Sequence, residues 1–102
     1  MIVRYWSARM PAINVDAYLR HFGQDVTPEL ERVPGFASAD LMQRTTEDGV
    51  EIVVLSFWNS WEAIDAFARP DRDFAVVAPE AAALFTNYDH CVHHYEMIPL
   101  PR

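Results

Sequence analysis

The chain has 102 residues, of which 51% are hydrophobic and 13% aromatic, with 15 acidic against 8 basic residues and a net charge of −7. That length builds one domain with one modest core, and that hydrophobic content excludes a disordered chain. The negative charge repels phosphate backbones, so nucleic acid is not an expected partner. Residues 2–10 read as a strand, with Ile2, Arg4, Trp6 and Ala8 on one face and Val3, Tyr5, Ser7 and Arg9 on the other. Pro11 ends it. Asn14 or Asp16 then caps a helix whose apolar positions Leu19, Phe22, Val26, Leu30 and Val33 recur at helical spacing. Gly23 and Pro28 interrupt that helix. Pro28 has no amide to bond back to Gln24, which predicts a kink or a restart capped by Thr27.

Val33-Pro34-Gly35-Phe36 is a turn signal, followed by a second strand over 36–45. Glu47-Asp48-Gly49 is a hairpin turn, with Asp-Gly supplying positive-φ positions, and a third strand covers about 50–58. Asn59 and Glu62 have capping-box spacing and open a helix over 60–68, where Trp61, Ile64, Phe67 and Ala68 share a face. Arg69-Pro70 breaks the pattern. Pro79 starts a short helix that ends near Phe85, His90 to Ile98 is the last strand, and a proline-rich tail follows. The order βαββαβ predicts an α+β, ferredoxin-like plait with a four-stranded antiparallel sheet.

In the third strand Val53, Leu55 and Phe57 occupy one face while Ile52, Val54 and Trp58 occupy the other. Two helices cover one face of such a sheet, and the second apolar face calls for a partner. A two-fold homodimer through the sheet faces, giving a dimeric α/β barrel, is the expected solution. Cys91 is the single cysteine and can form no internal disulfide. The start of the chain carries charges where a signal peptide has its apolar core, and no run reaches the roughly 18–20 apolar residues of a membrane span. A cytoplasmic protein that engages no membrane is the expectation.

Trp58-Asn59-Ser60 with Glu62-Ala63 and Phe67-Ala68, the Pro34-Gly35-Phe36 turn, Pro79-Glu80 and the final His94-Tyr95-Glu96 resemble the antibiotic biosynthesis monooxygenase family of dimeric α/β-barrel proteins. The resemblance runs over about residues 2–98. It implies a phenolic substrate held between sheet and helices, which loses a proton and passes an electron to dioxygen with no bound cofactor. The family's tryptophan at the end of the third strand, which orients the substrate, matches Trp58. The first strand carries no Asn, and Trp6 stands where haem-degrading relatives have theirs. Those relatives also use a histidine ligand on the helix after the tryptophan, and residues 59–78 contain none.

The residues alone leave Trp58 as either a pocket wall, its indole N–H donating to a substrate oxygen, or a core aromatic. His94 is a candidate proton-transferring group, since an unperturbed imidazole titrates near pH 6.5. Together Trp58 and His94 are the catalytic candidates. Trp6 and Arg4 share a strand face and offer an aromatic floor beside a cation, suited to an acidic or phenolate ligand. Tyr18 and His21, one helical turn apart, are further substrate-binding candidates, with a solvated helix face as the plain alternative. His90, Cys91, His93 and His94 do not make a metal site: on a strand His90 and His94 lie about 13 Å apart, and no matching Cys/His pair exists elsewhere. The acidic residues, Asp25 among them, read as solvated faces and caps. The function read from all this is a cofactor-free monooxygenase of a small aromatic molecule. The alternatives are a non-catalytic binding or accessory dimer, and an atypical haem-binding protein using His21 or His94.

Overall fold

The protein is described by a computed structural model over residues 1–101. Its centre is an antiparallel pair, β1 (Ile2–Met10) and β3 (Gly49–Trp58), in register from Ile2–Trp58 to Met10–Val50. β2 (Phe36–Thr46) lies outside β3, and two short strands, β4 (Asn87–Tyr88) and β5 (His93–Glu96), share the far edge of β1. The sheet thus has five strands where four are expected from the sequence. Alternation along β3 is strict: Val50, Ile52, Val54, Ser56 and Trp58 are buried and the residues between them are half-buried. Period-two burial of this kind puts every second side chain under the helices.

The last strand divides because residues 90–92 leave β1 and pair elsewhere, the Asp89 amide still donating to the Ser7 carbonyl at 2.9 Å. The Ala75 amide donates to the His90 carbonyl at 2.8 Å and the Val92 amide to the Asp73 carbonyl at 2.8 Å. Two of the backbone groups that leave the sheet are thereby satisfied by the 73–75 loop.

The first helical region is α1 (Val15–His21), a π turn over Phe22–Val26 and α2 (Thr27–Glu31), preceded by a 3₁₀ turn at Ala12–Asn14. The chain neither restarts at Thr27 nor uses it as a cap, since Thr27 is itself helical and its amide bonds to the Phe22 carbonyl. The wide turn absorbs the missing Pro28 amide without breaking the helix. Asn14 is helical too and caps nothing; its side chain donates to the Leu84 carbonyl at 2.9 Å, tying α1 to the far end of the chain. Leu19 is 42% exposed, and Val15 and Tyr18 take the core positions instead.

Gly35 adopts φ 95°, and a Cβ there would meet Ala63 Cβ at 2.7 Å, so the expected turn also lets β2 begin tight against α3 (Trp61–Phe67). The cap of α3 is Ser60 and not Asn59: Ser60 is extended and its hydroxyl accepts from the Ala63 amide at 3.2 Å. The β2–β3 hairpin turns on Glu47-Asp48, and of the expected positive-φ positions only Gly49 adopts one. A short helix, α4 (Pro79–Ala82), starts at its proline as expected.

The core gathers Ile52, Trp58 and Ile64 with Met10, Phe22 and Leu30 on the helix-covered face. On the opposite face Val53, Leu55 and Phe57 remain half-buried, flanked by the exposed Met42 and Tyr95. Among the described residues no helix is long and apolar enough to cross a membrane.

Candidate functional site

Strand register places Arg4 opposite Ser56 and Trp6 opposite Val54, all four on the helix-covered face. Above them stand Tyr18, His21, Phe22 and Val26 from α1 and the π turn, while Ala75–Ala78 and Val92 close the side. These groups enclose a hollow of about 80 Å³, mostly apolar in its walls. Four of the six candidates read from the sequence, Arg4, Trp6, Tyr18 and His21, are therefore brought together on one cavity.

Arg4 is 4% exposed. One Nη donates to the Arg72 carbonyl at 2.6 Å and to His94 Nε2 at 3.0 Å, and the other donates to the Phe74 carbonyl at 2.8 Å. Burial pulls its pKa down to about 10, opposed by Asp73, so it remains a cation at neutral pH. No carboxylate among the described residues pairs with it. Three of its five N–H donors are used, all by neutral groups.

Tyr18 is 3% exposed, yet its hydroxyl has no hydrogen-bond partner among the described residues, and burial pushes its pKa up well above the usual range. It packs edge-on against Phe85 at 5.3 Å. Trp6 forms part of the floor, its N–H donated to the Asp89 carbonyl at 2.7 Å. His21, its side chain only 12% exposed, holds Asp25 through Nδ1 at 2.9 Å. An ionised carboxylate only accepts, so Nδ1 carries a proton; in the neutral ring Nε2 is then an acceptor, and it has no protein partner among the described residues.

The two residues expected to be catalytic lie elsewhere. Trp58 is completely buried one layer behind the cavity, edge-on to Phe36 at 5.2 Å and tilted against Phe67 at 5.5 Å, and its N–H goes to Ser56 Oγ at 2.9 Å. His94 sits behind Arg4 against Trp61, whose ring centroid is 5.4 Å away. Because Arg4 can only donate, His94 Nε2 must accept and the ring is neutral. Burial, together with Arg4, holds its pKa below the usual histidine value.

Ser56 and Asp25 were not singled out in the sequence. Ser56 left a trace there as the one polar residue in Ile52–Trp58, and Asp25 lies four residues after His21. The carbonyls of Arg72 and Phe74 left none. Nor do the other histidines gather: His90 and His93 are exposed, and among the described residues no three potential ligands converge on one point.

The chain matches the antibiotic biosynthesis monooxygenase family over residues 1–72. Among solved structures it is similar to an antibiotic biosynthesis monooxygenase at 17% identity, covering 97% of this chain and 100% of that one with a TM-score of 0.68. It is also similar to the haem degrader MhuD of Mycobacterium tuberculosis, solved with two haems in its active site, at 19% identity, full coverage of both chains and a TM-score of 0.66. A conserved protein of Methanosarcina mazei Go1 has 14% identity over 92% of this chain and 89% of that one, with a TM-score of 0.67. No curated protein matches the sequence. At these identities the structures speak for the fold, and the sequence match carries the assignment: the chain belongs to the antibiotic biosynthesis monooxygenase family.

Proposed function

We propose that the protein is a monooxygenase that binds a small phenolic molecule beside Arg4 and oxidises it without a bound cofactor. The observation that supports this most is a permanent cation, 4% exposed and paired only with neutral groups, on the wall of an apolar hollow. A buried charge with no carboxylate in direct contact, and only Asp73 acting on it from a distance, is costly, and a ligand oxyanion would recover part of that cost. The family's chemistry needs such an anion: the substrate loses a proton and gives an electron to dioxygen. Over the whole reaction one oxygen atom enters the substrate and the other leaves as water with the substrate's hydrogens.

In this reading Arg4 and the Ser56 hydroxyl hold the oxyanion, and Trp6 and Tyr18 flank the ring. Trp58 acts through Ser56. By donating to Oγ it leaves the hydroxyl hydrogen free to point at the ligand. His94 anchors Arg4 from behind. A benzene-binding cavity is about 150 Å³, so the hollow of about 80 Å³ admits only the oxygen-bearing edge of the ring, and the remainder lies in the open mouth. A second copy covers the open sheet face of Val53, Leu55 and Phe57, as the expected dimer requires; sedimentation as a lone protomer at high concentration would count against it.

Haem is the second reading, favoured by the fold neighbour that holds it. The residues here fit it poorly. The hollow of about 80 Å³ is well short of a porphyrin, His94 Nε2 is occupied by Arg4, and residues 59–78 offer no histidine, which leaves His21 as the one candidate ligand on the hollow.

Oxygen uptake with a panel of phenols and polycyclic hydroquinones tests the proposal. Turnover that falls in Arg4→Gln supports it. Tight quenching of tryptophan fluorescence with no oxygen consumed would make the protein a binder instead, and a sharp Soret shift lost in a histidine variant would make it a haem protein.

A further inference from the structure

The enzyme needs a group to take the phenol's proton, and the expected one, His94, is off the cavity wall with its acceptor nitrogen already used by a cation. We infer that His21, held by Asp25, is that base, an assignment that rests on the function proposed above. His21 lines the hollow while its Nδ1–H is fixed by the Asp25 carboxylate at 2.9 Å. This sets the tautomer, leaves Nε2 as the acceptor and supplies a negative charge to balance the imidazolium when it forms. His21 immediately precedes the π turn over Phe22–Val26 and Asp25 lies within it, a helix irregularity often found at functional sites.

The step conserves atoms and charge. The phenol O–H bond breaks, its electron pair stays on the oxygen facing Arg4, and an N–H bond forms at His21 Nε2. The charged or titratable groups facing the imidazole are Asp25 and Tyr18 on its own helical region and Arg4 across the hollow. Residues 75–78 on the closing segment contribute only Ala and Val side chains. His21 is thus a catalytic residue and Asp25 a positioning one.

4-Nitrophenol is a suitable probe, since its ionised form absorbs at longer wavelength than the neutral one. It is titrated with the protein in weakly buffered solution slightly below neutral pH, following absorbance, solution pH and the imidazole NMR signals. The wild-type protein is expected to bind it as phenolate with no proton released, and the His21 signal moves to its protonated position. In His21→Gln the phenolate band drops by about tenfold, or each phenolate formed releases a proton to solution. Asp25→Asn, altered at an exposed side chain, gives an intermediate band and a weaker His21 shift, and it decides the matter if His21→Gln does not fold. An unchanged band and proton balance in His21→Gln, or an unmoved His21 signal in wild type and Asp25→Asn alike, overturns the assignment while leaving the phenol site intact. Failure of the wild-type protein to bind any phenol overturns the proposed function, and the base with it.

Discussion

Two halves of one core are buried to nearly the same depth and do opposite things with their polar atoms. Around Trp58, which is 0% exposed, the indole lies between Phe36 and Phe67 and its single donor is spent on Ser56. Around Tyr18, which is 3% exposed, a hydroxyl, an arginine and a histidine nitrogen retain hydrogen-bonding capacity with no protein group to use it. No fully buried side-chain nitrogen or oxygen among the described residues lacks a partner, so this spare capacity faces the open hollow. Burial therefore does not separate scaffold from site here; unspent valence does. Ser56 belongs to both halves, accepting from Trp58 on one side and lining the hollow on the other.

The comparison breaks most readily at Trp58. Trp58→Ala should cost about 3–5 kcal/mol in chemical denaturation, the range for emptying a large aromatic site. Trp58→Phe keeps most of the packing and should cost about 1 kcal/mol for the hydrogen bond. If Trp58→Ala proved nearly neutral in stability and abolished only ligand binding, the closed half would belong to the site. Arg4→Gln comes next. Ligand affinity should fall by about 1.5–3 kcal/mol, the value of a hydrogen bond to a charged group, and amide exchange in residues 72–76 should quicken as their carbonyl anchor is lost. Tyr18→Phe sharpens the contrast because it removes a hydroxyl that the protein itself leaves unpaired. Its denaturation midpoint should be unchanged or slightly raised, while phenol affinity drops by about 0.5–1.5 kcal/mol in a calorimetric titration. A large loss of stability would mean that the hydroxyl is spent within the fold.

The closed half was largely legible in the sequence. Period-two alternation through Val50–Trp58 and the turn at Gly35 are local signals, and they led to the right sheet, face and neighbours. Misplacements there were one residue long, such as Ser60 for Asn59, because both side chains can cap and only the backbone angles decide. The open half was half legible. Arg4, Trp6, Tyr18 and His21 were found because strand and helix periodicity place side chains on faces. What those faces meet was hidden, since the cavity wall is an irregular loop whose contribution to Arg4 is backbone carbonyl, which carries no residue identity. His94 was chosen for its chemistry, but the meeting of residues 4 and 94 is a tertiary fact, and that contact consumes the atom on which the chemistry depends.

His94 should show the smallest effect and still tell the halves apart. Its environment is mixed: burial and the cations Arg4 and Arg72 lower its pKa, and Asp73 and Asp65 raise it, with the lowering stronger. The folded pKa is thus below the unfolded value of about 6.5. Between those two values the unfolded chain binds more protons than the native one, so stability rises with pH across the window. The contribution is fully present above pH 6.5 and is lost as pH falls through the folded value. Protonation removes the acceptor that Arg4 uses and sets two cations 3.0 Å apart, so the damage should begin at the open half. Acidification should speed amide exchange in residues 72–76 before it affects those of β3 beside Trp58, and His94→Gln should flatten the stability slope below pH 6.5. Equal slopes in the two proteins would mean that His94 binds its proton equally well folded and unfolded, so that its contact with Arg4 contributes nothing and the open half is anchored by the loop carbonyls alone.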